Sequence, residues 1–106
     1  MSEALQAAMN AIDELDARAL AAGREWNEWT NAEIARQGLS SPMGLTPDVI
    51  KFSPEYYRLM VRSNGMRHAH KQAVAHALKV FGRKAYNNER RERIATTRAA
   101  RLEQSR

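Results

Sequence analysis

Apolar residues recur at alternating spacings of three and four from Leu5 to Trp29, and this rhythm constrains the fold more than any other feature of the chain. Its members are Leu5, Ala8, Ile12, Leu15, Ala19, Ala22, Trp26 and Trp29. Such spacing places side chains on one face of a long helix. Because no stretch alternates strictly between apolar and polar residues, the sequence predicts an all-α protein.

Two features qualify the first helix. Ser2 is expected to cap its N-terminus, whereas Gly23 interrupts it at a cost of about 1 kcal/mol relative to alanine. The segment is therefore one kinked helix or two, and we expect continuity as far as the tryptophan pair. Trp26 and Trp29 lie three residues apart, on the same face. They are predicted core residues, and an exposed pair would instead mark a docking surface.

The stretch WTNAEIARQGLSS predicts a second, short helix. Thr30 and Glu33 have the spacing of a capping box, and Gly38 is a typical C-terminal stop. Over about a dozen residues the stretch resembles the first helix of a helix-turn-helix. The next segment, SPMGLTPDV, carries two prolines and a glycine where a recognition helix should run. The sequence therefore does not predict a complete motif.

A proline-rich loop is predicted at 38–54, because all three prolines of the chain lie there. Within it we expect one helical turn at 47–51, capped by Thr46.

Two further helices follow the loop in this interpretation. Ser53 and Pro54 predict a helix start, with serine as the cap and proline at the first helical position. Asn64–Gly65 predicts its end, and an amphipathic helix begins at Met66. The core is predicted to contain Ile12, Leu15, Trp26, Ile34, Leu59, Met60, Val74, Leu78 and Phe81.

The segment after Gly82 is predicted to form a basic C-terminal helix with few apolar residues. The predicted architecture is thus a small bundle of four to five helices with one proline-rich loop. Residues 1–82 form the helical domain, with an acidic N-terminal half, and residues 83–106 form a basic helix or arm.

Motifs of catalysis and metal binding are not found in the sequence. His68, His70 and His76 include no pair four residues apart, and their helix holds no acidic residue to complete a site. No glycine-rich phosphate loop, paired carboxylate arrangement or nucleophile elbow occurs. We therefore predict a non-enzymatic protein without cofactor or metal.

Charge is distributed unevenly along the chain. Residues 1–53 contain four Lys/Arg and eight Asp/Glu, whereas residues 54–106 contain thirteen and four. We predict that the basic half binds DNA or RNA, mainly through phosphates and with weak sequence preference. Arg58, Arg62 and Arg101 are expected to point outward. The expected contact residues are Arg67, His68, Lys71, Lys79, Arg83, Lys84, Arg90, Arg91, Arg93 and Arg98.

Other interpretations of this charge remain open. The acidic half neutralises the basic half within the fold, the C-terminal helix is simply exposed and frayed, or an acidic protein surface orders it on binding. The main alternative is a protein-interaction module that docks on a partner or on copies of itself through the N-terminal stripe, with Trp26 and Trp29 in contact. A phage- or plasmid-type inhibitor and a virion or assembly component both fit this alternative.

The compartment is expected to be the cytoplasm, with no membrane association. The chain has no cysteine, as suits a reducing compartment. Its N-terminus carries acidic residues where a secretory signal needs basic ones. No apolar run approaches the roughly 20 residues that span a bilayer.

Overall fold

The structure, a computed structural model, describes residues 2–105 and is all-α. Helix α1 spans Glu3–Arg36, α2 spans Asp48–Lys51, α3 spans Pro54–Phe81 and α4 spans Arg83–Gln104. A 3-10 turn at Pro42–Gly44 lies between α1 and α2. No strand occurs in the described part, so the predicted all-α class is confirmed. No helix within it is long and apolar enough to cross a membrane.

Helix α1 is one continuous helix of 34 residues. The backbone N–H of Leu5 donates to Ser2 Oγ at 2.9 Å, which confirms the predicted N-cap. The helix passes through Gly23 without a break, so the expected continuity into the tryptophan pair is also confirmed. The cost of a helical glycine is small beside the burial of Ala22 before it and of Thr30 after it.

The predicted helix start at Thr30 is wrong. The Thr30 hydroxyl donates to the Trp26 carbonyl at 2.8 Å, which is a bond within α1 and not a cap. Glu33 accepts from Arg36 instead of turning back to Thr30. A threonine hydroxyl satisfies either the carbonyl four residues earlier or a free N–H at a helix start, and the local sequence does not distinguish them. The stretch that resembles a helix-turn-helix is therefore the last part of α1.

The predicted stop at Gly38 is confirmed. Its φ of 63° lies in the left-handed region that glycine adopts without strain. The N–H of Leu39 donates to the Ile34 carbonyl at 3.0 Å, and the N–H of Gly38 donates to the Ala35 carbonyl at 3.1 Å. This pair of bonds is a Schellman motif, which satisfies the last carbonyls of the helix.

The helical turn predicted at 47–51 exists as α2, but the predicted Thr46 cap is wrong. Pro47 occupies the cap position, and no side chain caps the helix. The Pro47 carbonyl accepts the N–H groups of Ile50 and Lys51, both at 3.0 Å. Ile50 is fully buried, so this turn anchors the loop by one apolar side chain.

Helix α3 begins as predicted and ends seventeen residues later than predicted, at Phe81 rather than Asn64. The N–H of Tyr56 donates to Ser53 Oγ at 3.3 Å, which confirms the cap. The predicted break at Asn64–Gly65 is wrong, because the helix continues through both residues. Leu59 and Ala77 are buried on the two sides of this position, and their packing offsets the low helix propensity of glycine.

The described chain divides into two compact units. The terminal unit combines residues 1–12 with 72–106, and the central unit contains residues 13–71. In the terminal unit, the first turns of α1, the end of α3 and α4 share one cluster. Its buried members are Leu5, Met9, Ile12 and Ala77, against which Ala73, Val74, Phe81, Ala85 and Tyr86 pack.

The central unit has its own interior, built from the rest of α1, α2 and the start of α3. Its buried apolar residues are Ala19, Ala22, Ile50 and Leu59. The rings of Trp26 and Tyr56 meet edge to face, with centroids 5.5 Å apart and planes at 70°. Such a pair contributes about 0.5–1.5 kcal/mol beyond the area that it buries.

The predicted core is confirmed in part. Ile12 and Leu59 are buried, whereas the other seven members of the predicted set are only partly buried. Met9, Ile50 and Ala77 were not predicted and are 0–1% exposed. Met9 follows Leu5 by four residues and precedes Ile12 by three, so it satisfies the same spacing as Ala8 and, being larger, fills more of the cluster.

Two glycines test the positions of the helix boundaries. A Cβ at Gly65 would meet no atom within 4 Å, and the residue lies inside α3, so Gly65→Ala should raise the free energy of unfolding by about 0.5–1 kcal/mol. Gly82 has a φ of 87°, so Gly82→Ala should lower it by about 1–3 kcal/mol. Urea denaturation followed by circular dichroism measures both. The same sign of change at the two positions would contradict these boundaries.

Candidate nucleic-acid interface

Helix α4 uses only its first part to pack in the terminal unit. Ala85 and Tyr86 lie against the apolar cluster, and Glu89 is 4% exposed. The guanidinium of Arg90 lies over the Tyr86 ring, 5.6 Å from its centroid. Every described residue from 94 to 105 is exposed. The helix therefore has one attached half and one half that is open to solvent on all sides.

A polar network attaches α4 to the start of α1. Arg93 Nε donates to Glu89 Oε1 at 2.8 Å, Nη1 donates to Asn10 Oδ1 at 2.9 Å, and Nη2 donates to Gln6 Oε1 at 2.7 Å. Hydrogen bonding from Arg93 lowers the pKa of Glu89 against the opposing effect of burial, and Gln6 adds to the lowering. The carboxylate is thus held in its charged form next to the core.

Arg93 therefore differs from Arg91 and Arg98, which we also predicted to contact nucleic acid and which are exposed. Its side chain is 21% exposed, and its donors are directed at Glu89, Asn10 and Gln6. The pairs with Gln6 and Asn10 join residues 87 and 83 positions apart, which no local pattern in the sequence reveals. Arg93 stabilises the terminal unit and is left out of the candidate interface.

The network makes stability depend on pH. Because the pKa of Glu89 in the folded protein is below the ordinary value of 4.5, its contribution to stability is fully present above that pH. The contribution is lost as the pH falls through the lowered pKa. Glu89→Gln should therefore be less stable than the wild type at neutral pH, and the difference should shrink in acid. Urea denaturation midpoints of both proteins, measured from neutral pH down through the lowered pKa, give this difference in stability.

Glu28→Gln is the matched control, because Glu28 is exposed and its replacement by glutamine removes the same charge. A pH-independent difference between Glu89→Gln and the wild type would contradict the role of the Glu89 carboxylate.

The opposite side of α4 carries a row of cations, which we name the outward face: Lys84, Arg91 and Arg98. These residues stand seven apart, so at about 100° per residue they are nearly aligned along the helix over roughly 21 Å. The midpoint of the packed residues lies about 180° from Arg91. All three side chains are exposed, and none forms an ion pair with another residue in the 2–105 range.

No carboxylate shares this face. Glu89, Glu92 and Glu103 all lie at least about 100° from Arg91 around α4. Arg83 and Arg101 flank the outward face, and both are exposed. The positive charge of the face is therefore not neutralised by the helix that bears it.

Net charge follows the same division. The terminal unit has nine Lys/Arg against four Asp/Glu, and the central unit has eight against eight, so the net charge of +5 belongs to the terminal unit. Exposed charge of one sign attracts anionic partners and raises their association rates.

The other predicted contact residues are spread over both units. Lys79 and Arg83 are exposed in the terminal unit, and Arg90 is half-buried there. Arg67, His68 and Lys71 are exposed in the central unit.

Two arginines that we expected to point outward are paired with carboxylates of the central unit. Arg58 hydrogen-bonds Glu55, and Arg62 Nη1 lies 3.1 Å from Glu25 Oε2. The sequence shows which residues are cationic, but it does not show which of them pair with a carboxylate in the fold.

The tryptophans lie in the central unit, where both are half-buried. Large exposed apolar side chains occur instead between residues 43 and 57, with Met43 96% and Phe52 80% exposed. These side chains lie in the predicted loop or just after it, and they were not predicted as apolar surface because they follow no helical or strand period.

The chain matches no protein-family model, no curated protein and no solved structure.

Among residues 2–105, no group of three or more His, Cys, Asp or Glu side chains is arranged to hold a metal ion.

Proposed function

We propose that this protein is a non-enzymatic nucleic-acid-binding protein of the cytoplasm, and that the outward face of α4 contacts phosphates. The observation that carries the proposal is the alignment of Lys84, Arg91 and Arg98 on a face without carboxylates. Free cations at regular spacing displace the counterions of a nucleic acid, and that displacement supplies non-specific affinity. An arginine that is already paired within the protein contributes much less.

Exposure of residues 94–105 supports the same proposal. A duplex or a single strand approaches this part of α4 without a clash against other elements of the terminal unit. Because lysine and arginine dominate the outward face, the contacts are mainly to phosphates, which carry no sequence information. The expected behaviour is weak sequence preference with strong salt dependence.

The test compares two triple variants that remove the same charge. One replaces Lys84, Arg91 and Arg98 by glutamine. The other replaces Arg18, Arg36 and Arg58, exposed arginines of the central unit that each pair with a glutamate of the same helix. Fluorescence anisotropy with short duplex DNA, single-stranded DNA and RNA, over a series of salt concentrations, gives the affinity and its salt slope.

The outward-face variant should lose most of its affinity, and its salt slope should fall by about 0.9 for each phosphate contact removed from a duplex. The control variant should keep the wild-type slope. Equal losses in both variants would mean that net charge alone drives binding. No binding at low salt would overturn the proposal.

A protein-interaction role is the second candidate, favoured by the exposed apolar side chains of the central unit. Because Leu5, Ile12, Ala19 and Ala22 are buried, little of the N-terminal stripe is left for docking. Phe52 and its neighbours offer apolar surface instead, which is typical of contact sites. If copies of the chain associate through it, light scattering at rising concentration detects an oligomer that Phe52→Ser abolishes. A strict monomer contradicts self-association.

A further inference from the structure

A cleft of about 260 Å³ opens on the central unit between α1 and α3. Its lining surface is divided about evenly between polar and apolar atoms, and Ala19 and Leu20 are its apolar residues. The remaining lining residues are Asp16, Gly23, Arg24, Asn27, Arg67 and His70. Four of these side chains, Arg24, Asn27, Arg67 and His70, can donate hydrogen bonds, and they come from two different helices.

The Arg67 guanidinium lies beside Gly23 in this cleft. Arg67 Nη2 lies 3.8 Å from the position that a Cβ on Gly23 would occupy, so the Arg67 head group rests against the backbone of α1. Arg24, the next residue along α1, lines the same cleft. Arg24 of α1 and Arg67 of α3 therefore both line one cleft.

Neither Arg24 nor Arg67 pairs with a carboxylate in the part of the chain that the structure describes. Asp16 is the one acidic residue of the lining, and its Oδ1 lies 3.9 Å from His70 Nε2. This separation is longer than a hydrogen bond. The cleft therefore has two arginines against one carboxylate, so its positive charge is offset only in part.

A second cleft of the central unit provides a contrast. It has a volume of about 310 Å³ and also contains two arginines, Arg18 and Arg62. Both are paired, Arg18 with Glu14 at 2.6 Å and Arg62 with Glu25 at 3.1 Å. Its cations are already satisfied, whereas those of the first cleft are not.

We propose that the cleft formed by Arg24, Asn27, Arg67 and His70 binds a phosphate oxyanion. Guanidinium groups present parallel N–H donors that match the oxygens of phosphate, and the Asn27 amide adds a neutral donor. The cleft is smaller than the roughly 300–1,000 Å³ of sites for drug-sized ligands, so it suits a phosphoryl group and not a whole cofactor. This site is separate from the outward face of α4.

The phosphoryl group comes either from a small phosphate compound or from a nucleic-acid backbone. Inorganic pyrophosphate and a short DNA oligonucleotide are the two probes. Amide resonances of Gly23 and Asn27, followed by nuclear magnetic resonance during each titration, report binding at the cleft. A saturable shift with pyrophosphate identifies a site for free phosphates, and a shift with the oligonucleotide alone identifies a backbone site.

Arg67→Gln is the main variant, because its side chain is exposed and the substitution leaves the helix intact. It should weaken binding at the cleft by roughly tenfold or more, the expected effect of losing a charged hydrogen bond. Lys51→Gln removes the same charge from α2, outside the cleft, and should keep wild-type affinity. Gly23→Leu keeps every charge but fills the cleft, and it should also abolish the shift at Asn27.

The variant that lacks the outward-face cations should retain the shifts at Gly23 and Asn27, which separates this site from the function proposed for α4. If neither probe gives a saturable shift, the proposal is overturned. So would equal weakening by Arg67→Gln and Lys51→Gln, since that result means general charge attraction.

Discussion

The hydrogen bonds of Arg93 are the constraint on which the candidate interface depends. They join α4 to Gln6 and Asn10 near the start of α1 and hold the Glu89 carboxylate against the apolar cluster. Because this side of α4 is attached to the terminal unit, the opposite side of the helix faces solvent. The outward position of Lys84, Arg91 and Arg98 therefore follows from a bond network that none of them joins.

Sequence reasoning predicted the parts of the fold that depend on local chemistry. Ser2, Ser53 and Gly38 act as the predicted caps and stop, because each satisfies backbone groups within a few residues. It failed at Thr30 and at Gly65, where packing across helices outweighs local preference. The capping box and the Asn-Gly pair are genuine boundary signals in isolation, but a helix held by buried residues on both sides of them does not end there.

The candidate interface was also predictable only in part. A pattern of cationic residues is visible in the sequence, and most of the cations of α4 are exposed as expected. Pairing is not visible: Arg62 meets Glu25 across 37 positions, and Arg93 meets Gln6 across 87. Sorting free cations from engaged ones requires the distances between helices, which is why the predicted set of contact residues was larger than the outward face.

The terminal unit joins the first turns of α1 to the end of α3 and to α4, and this has a consequence for folding during synthesis. Leu5, Met9 and Ile12 leave the ribosome early, but their partners in the cluster lie at residue 73 and beyond. Closing so long a loop is costly and slow, so these side chains stay exposed until residues 73–86 have been made and have packed. The central unit, whose internal contacts lie between residues 13 and 71, completes earlier. A chain that stops short of α4 would thus present an apolar N-terminal helix face, the kind of surface that chaperones and proteases recognise.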